Sequence, residues 1–190
     1  VGEWDVGLLD MQTEAEHGQP AENAGVLRLR RRILNPWSTA GFMATSLVSS
    51  DHGNFVAAGG ATVRVFGDDY VTLKGARSID SRDSTSAALL DRAHLHFEWD
   101  RRTLRGLKYL ASLTRSGSEY RPELGFLQRR DFSTVNLLAE YYVFTDERPV
   151  LRRIWPGALA FSTFRNSDGA LESGQYAFWV QWQTKAGGGG

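Results

Sequence analysis

The sequence predicts an all-β fold: an antiparallel up-and-down β-barrel of outer-membrane type, with about ten strands in this piece and more expected in an intact barrel. Three observations predict it. Apolar and polar residues alternate with period two in stretch after stretch, as side chains do on a strand with two unlike faces. Clusters of turn residues separate these stretches. Short and long connections roughly alternate, the arrangement of a barrel with tight turns at one rim and loops at the other. The clearest stretch is 93–100. It places Ala93, Leu95, Phe97 and Trp99 on one face and His94, His96, Glu98 and Asp100 on the other.

In chain order, weaker alternation at 3–12, 25–34 and 39–49 predicts the first three strands. Residues 54–66 group Phe55, Ala57, Gly59, Ala61, Val63 and Val65 on one face. Gly59-Gly60 inside that pattern suggests close packing or a bulge. Residues 70–78 predict a fifth strand. Residues 84–91 suit a short helical turn, too short to carry a core. After 93–100, residues 105–113 group Leu107, Tyr109, Ala111 and Leu113, and 133–144 group Val135, Leu137, Ala139, Tyr141 and Val143. Residues 150–164 hold Pro156, which removes a ladder donor and suggests an edge or a bulge. Residues 175–183 place Tyr176, Phe178, Val180 and Trp182 together. Asn35-Pro36, Gly67-Asp68-Asp69, Asp100-Arg101-Arg102, 145–149 and 166–169 read as turns; 13–24, 79–90 and 115–132 read as longer connections.

Residues 1–186 form one domain in this reading, and 187–190 are a flexible glycine tail. The 190 residues carry 22 basic and 22 acidic side chains, so no global basic field points to nucleic acid. With no cysteine, neither disulfides nor thiolate metal sites are available. No run of 18 apolar residues predicts a membrane-spanning helix. No signal peptide is recognised, and a start at Val1 suggests a piece of a larger protein. Trp4, Trp37, Trp99, Trp155 and Trp182 lie near strand ends, as in an interfacial girdle or at the corners of a sandwich.

Candidate chemistry is sparse. His94 and His96 have a spacing that can hold zinc if a third ligand converges. Glu98 is adjacent, yet a water-facing strand surface is the plainer account, and His17 and His52 add nothing to the metal reading. Arg28, Arg30 and Arg32 line one strand face. They would favour anions in a channel, or pair with Asp5, Asp10 or Glu98 across a hairpin. Arg152-Arg153 and Arg129-Arg130 are equally ambiguous. Asp68, Asp69, Asp80, Asp83, Asp146 and Glu147 read as solvated turn residues without EF-hand spacing. No catalytic residue, metal or cofactor is assigned.

Three segments carry a family resemblance. They are Val6 to Thr13 with Ala21-Glu22-Asn23 and Val26 to Arg31; the run 38–66 leading to Asp68-Asp69; and Tyr120-Arg121-Pro122-Glu123-Leu124-Gly125-Phe126-Leu127-Gln128-Arg129-Arg130-Asp131-Phe132. Together they resemble the membrane-associated C-terminal region of a bacterial family. In it a family-nine-type carbohydrate-binding module precedes a β-rich domain of unknown function numbered 5916. The resemblance implies an outer-membrane barrel of Gram-negative bacteria and no catalytic residues.

Three functions follow. In the first, an outer-membrane barrel passes or docks a carbohydrate-type ligand. Leu95, Phe97, Trp99, Leu137, Tyr141, Phe178, Val180 and Trp182 would then face lipid. Arg28, Arg30, Arg32, His94, His96, Glu98, Lys108, Glu140 and Gln181 would line the lumen. The second is a soluble β-sandwich or barrel that binds carbohydrate. The third is a glycoside-processing hydrolase. Residues 120–132 are too irregular for a strand, and their bulky groups require burial against the lumen or a rim.

Overall fold

Alternating side chains and turn residues translate into ten strands. These are β1 (Trp4–Gln12), β2 (Glu22–Arg32), β3 (Thr39–Ser49), β4 (Gly53–Phe66) and β5 (Asp69–Asp80), then β6 (Ala93–Arg101), β7 (Gly106–Ser116), β8 (Phe132–Phe144), β9 (Leu151–Arg165) and β10 (Leu171–Thr184). A 3₁₀ turn, Leu89–Arg92, precedes β6. The computed structural model describes residues 4–16, 20–83, 88–125, 127, 129–145 and 147–189. The expectations for His17, Phe126, Asp146, Gly190 and the first half of the 84–91 turn lie outside them.

Each strand pairs antiparallel with the next, in the spatial order β1 to β10. The turns follow local chemistry. Gly67 and Gly169 take positive φ, 51° and 71°, in the connections after β4 and β9, a region that glycine enters without a Cβ clash. Pro156 lies within β9 and faces Val180 of β10, with unbroken register on either side. Register shifts fall elsewhere, between Arg64 and Phe66 and near both ends of the β9–β10 pair.

The expected closed barrel is not what the chain forms. Closure requires the last strand to pair with the first under a fixed tilt and stagger. Here β1 pairs only with β2, and β10 pairs with β9, with a single bridge from Gln183 to Gly189 beside it. The molecule is an open ten-stranded sheet. The membrane assignments fall with the barrel, because an open sheet in lipid would leave unpaired N–H and C=O groups along two edges. Outer-membrane location, contact of Leu95, Phe97, Trp99, Leu137, Tyr141, Phe178, Val180 and Trp182 with lipid, and passage through a lumen are therefore corrected. No helix among the described residues is long and apolar enough to cross a membrane. Period-two alternation is identical in an open and a closed sheet, which is why the sequence misled on this point.

The two faces differ as the alternation requires. Val71 faces Trp99, Leu73 faces Phe97, and Phe97 faces Leu113, all on one apolar side. This side is exposed: Phe178 is 88 % accessible and Leu73 61 %. The opposite side is polar and more enclosed. On this side Asn54, Thr72, Ser78, Asp80, Asp100, Ser116 and Thr163 are buried polar side chains, with Val56 and Tyr120 buried among them. Asp69 and Asp80, expected as solvated turn residues, are instead buried at the two ends of β5.

Candidate binding site on the polar face

Antiparallel register sets residues of different strands side by side in rows across the sheet. One row on the polar face runs Arg30, Gly41, Gly60, Lys74, His96 and Thr114, from β2 to β7. The adjacent row runs Arg28, Met43, Ala58, Ala76, His94 and Ser116. Large cationic side chains on β2 and β5 thus flank Gly41 and Met43 on β3 and Gly60 and Ala58 on β4. The short side chains leave a groove of about 600 Å³, lined by Arg28, Arg30, Lys74, His94 and Tyr120 over a small-residue floor.

The glycines shape this floor. A Cβ on Gly60 would lie 2.6 Å from the Leu73 carbonyl oxygen and 2.9 Å from Lys74 Cγ. Close packing, and not a bulge, explains Gly60, and it lets the Lys74 stem lean over the floor. Gly41 is tight as well, with its Cβ position 3.0 Å from the Leu29 carbonyl oxygen. Arg30 is held by Asp5 at 2.9 Å. Arg28 and Lys74 have no hydrogen-bond or ion-pair partner among the described residues.

One wall comes from the connection between β7 and β8. Its Tyr120 ring stacks on His94 with centroids 5.5 Å apart. Burial raises the Tyr120 pKa. It also lowers that of His94, with His96 adding a smaller push in the same direction. Backbone anchors fix this segment. Asn54 Nδ2 donates to the Arg121 carbonyl at 2.7 Å and to Asp80 Oδ2 at 2.8 Å, and Arg121 N–H donates to Ser78 Oγ at 3.0 Å. Residues 120–132 were expected to bury their bulky groups against a lumen or rim. Tyr120 does bury against the polar face, at the end of the sheet where β5 finishes and β6 begins.

Beside these anchors, ligand atoms of His52, Asp80 and Glu123 lie within 4.8 Å of one another. Arg82 bonds both carboxylates and makes the cluster an internal ion pair. The Arg82 guanidinium holds the Asp80 carboxyl well below the usual carboxylate range, against the opposing effect of burial. The group closes the end of the sheet over residues 119–123. His52 thus belongs to a potential ligand cluster, a role its isolated position in the sequence did not suggest.

The structure brings Arg28, Arg30 and His94 to one groove, with His96 one row position beyond Lys74. His96 contacts Thr114 Oγ1 through Nδ1 at 2.9 Å, and its Nε2 lies 3.9 Å from Glu98. Arg32 and Glu98 share the polar face but sit in the next row, outside the lining. Lys108 and Glu140 are strands away and bond each other at 2.8 Å. The Glu140 carboxylate raises the Lys108 pKa. Gln181, farther still, faces Trp155 on the last hairpin. Lys74 was missed because its role depends on pairing across three strands. A scan for cations facing paired glycines could have found it once register was known. The chain matches no family model, no curated protein and no solved structure.

Proposed function

We propose that this all-β domain binds a carbohydrate-type ligand in the groove of its polar face. One observation carries the reading: a groove of about 600 Å³ combines a floor of Gly41, Gly60 and Ala58 beside Met43 with guanidinium and ammonium donors and the Tyr120–His94 ring pair. Sugars suit such a surface because their hydroxyls need several converging polar groups while their C–H faces lie against rings or flat apolar floor. The family resemblance supports the same ligand class by association, through the carbohydrate module of that family.

Two acids of the polar face away from the groove are already engaged. Glu140 accepts from Lys108 and from the Tyr142 hydroxyl, and Asp100 accepts from Arg102 at 2.6 Å. The test is calorimetric titration with a panel of neutral and acidic oligosaccharides, repeated with Ala76→Trp, which fills the groove from its floor. Binding that disappears in A76W is the expected result. Absence of glycan binding, or binding that A76W leaves intact, overturns the reading.

A further inference from the structure

The cations around the groove are arranged with little to balance them. Arg28 and Arg30 stand on β2, and Lys74 stands on β5, three strand spacings or about 14 Å away. Among the described residues Asp5 is the one carboxylate bonded to any of the three, and it lies on an edge strand with its side chain 65 % exposed. Such an exposed pair is weak and exchanges readily. Glu98, the nearest acid within β6, lies one row away and faces His96. The Lys74 stem leans over Gly60, where any side chain would collide with it. The Leu73 carbonyl oxygen, 2.6 Å from that Cβ position, keeps the floor under the lysine bare as well.

We infer that the ligand of this groove is anionic, an acidic sugar whose carboxylate or sulfate groups are held by Arg28 and Arg30 on one wall and Lys74 on the other. This rests on the reading of the groove as a carbohydrate site and adds the charge class of the ligand. Charge-assisted bonds from guanidinium and ammonium to such anions are stronger than neutral ones. A concave wall of one sign also raises the local concentration of the opposite charge.

The probes are a galacturonate oligosaccharide, a neutral maltooligosaccharide of equal length, and inorganic sulfate, titrated at low and high salt. The acidic sugar is expected to bind at least about tenfold tighter than the neutral one at low salt, a difference of about 1.4 kcal/mol, and to lose that advantage as salt rises. Arg28→Gln and Lys74→Gln, both on exposed side chains, should each weaken acidic-sugar binding by a larger factor than neutral-sugar binding, with thermal unfolding unchanged. Lys74→Arg should retain the preference. Equal binding of both sugars, still abolished by A76W, overturns the charge assignment and leaves the carbohydrate site standing. Sulfate binding sensitive to R28Q with no sugar bound supports the anion site and overturns the carbohydrate reading. No binding of any probe overturns both.

Discussion

His94 is held neutral by its surroundings. Its ring lies under Tyr120, and its buried Nδ1 has no hydrogen-bond partner among the described residues. Protonation would place a charge in that enclosed contact beside His96, so the folded-state pKa lies below the ordinary 6.5. The unfolded chain therefore binds the proton first as pH falls. This contribution to stability is complete above about pH 6.5 and is lost as pH drops through the lower folded value. His94→Phe keeps a ring against Tyr120 and cannot charge. Urea unfolding at pH 7 and pH 5 should show a smaller loss of stability in H94F than in the unsubstituted chain; equal losses would mean that His94 is not the titrating group.

At the scale of elements, the connection between β7 and β8 is held by polar anchors more than by apolar burial. Asn54, 2 % exposed, bonds Asp80 and the Arg121 carbonyl, and its Oδ1 accepts from Glu123 N–H at 3.3 Å. Asn54→Ala removes the partner of the Arg121 carbonyl and of the Glu123 N–H and one of the bonds to Asp80, and should cost about 2–3 kcal/mol. It should also make residues 117–125 the first site of limited proteolysis. The Asp80 carboxyl sets the acid limit of the same anchor. Its folded pKa is depressed by Arg82, so its contribution is present above the unfolded value of about 4 and is lost as pH falls through the folded one. Amide exchange at 119–123 should stay slow, apart from intrinsic rate changes, from pH 7 to pH 5 and accelerate only below about pH 4. Earlier release would show that another contact governs the segment.

The whole molecule inverts the usual distribution of polarity. Its enclosed side is rich in hydroxyls and carboxylates, and its broad apolar side is exposed among the described residues. Ladder hydrogen bonds and polar rows hold the sheet together. Contiguous apolar surface on this scale marks a contact face. Leu73→Ser with Phe97→Ser changes a directly paired couple on that face. Because both side chains are exposed, the double substitution should shift stability by no more than about 1 kcal/mol while clearly reducing binding of an apolar fluorescent dye. A loss of several kcal/mol would instead mean that this face is buried in solution.

The strands were legible because their signals are local. Strict alternation at 93–100 marks β6, glycines at 67 and 169 mark turns, and these hold whatever the rest of the chain does. The composition of the two faces followed from the same period, and His94, His96 and Arg28 lie in rows of the polar side. Pairing partners at long range were another matter. Gly41, Gly60 and Lys74 become a floor and wall only when β3, β4 and β5 are set side by side, and Tyr120 completes the groove only when its connection folds back over β6. Closure was the plainest failure. An edge strand and a paired strand carry the same side-chain pattern, since the difference lies in backbone groups that every residue shares. By itself the sequence determined the strands, their faces and their turns, all set by steric preference and hydrophobic period. Only the tertiary structure decided that the sheet stays open and where its cations meet, because both depend on backbone pairing between segments distant in the chain.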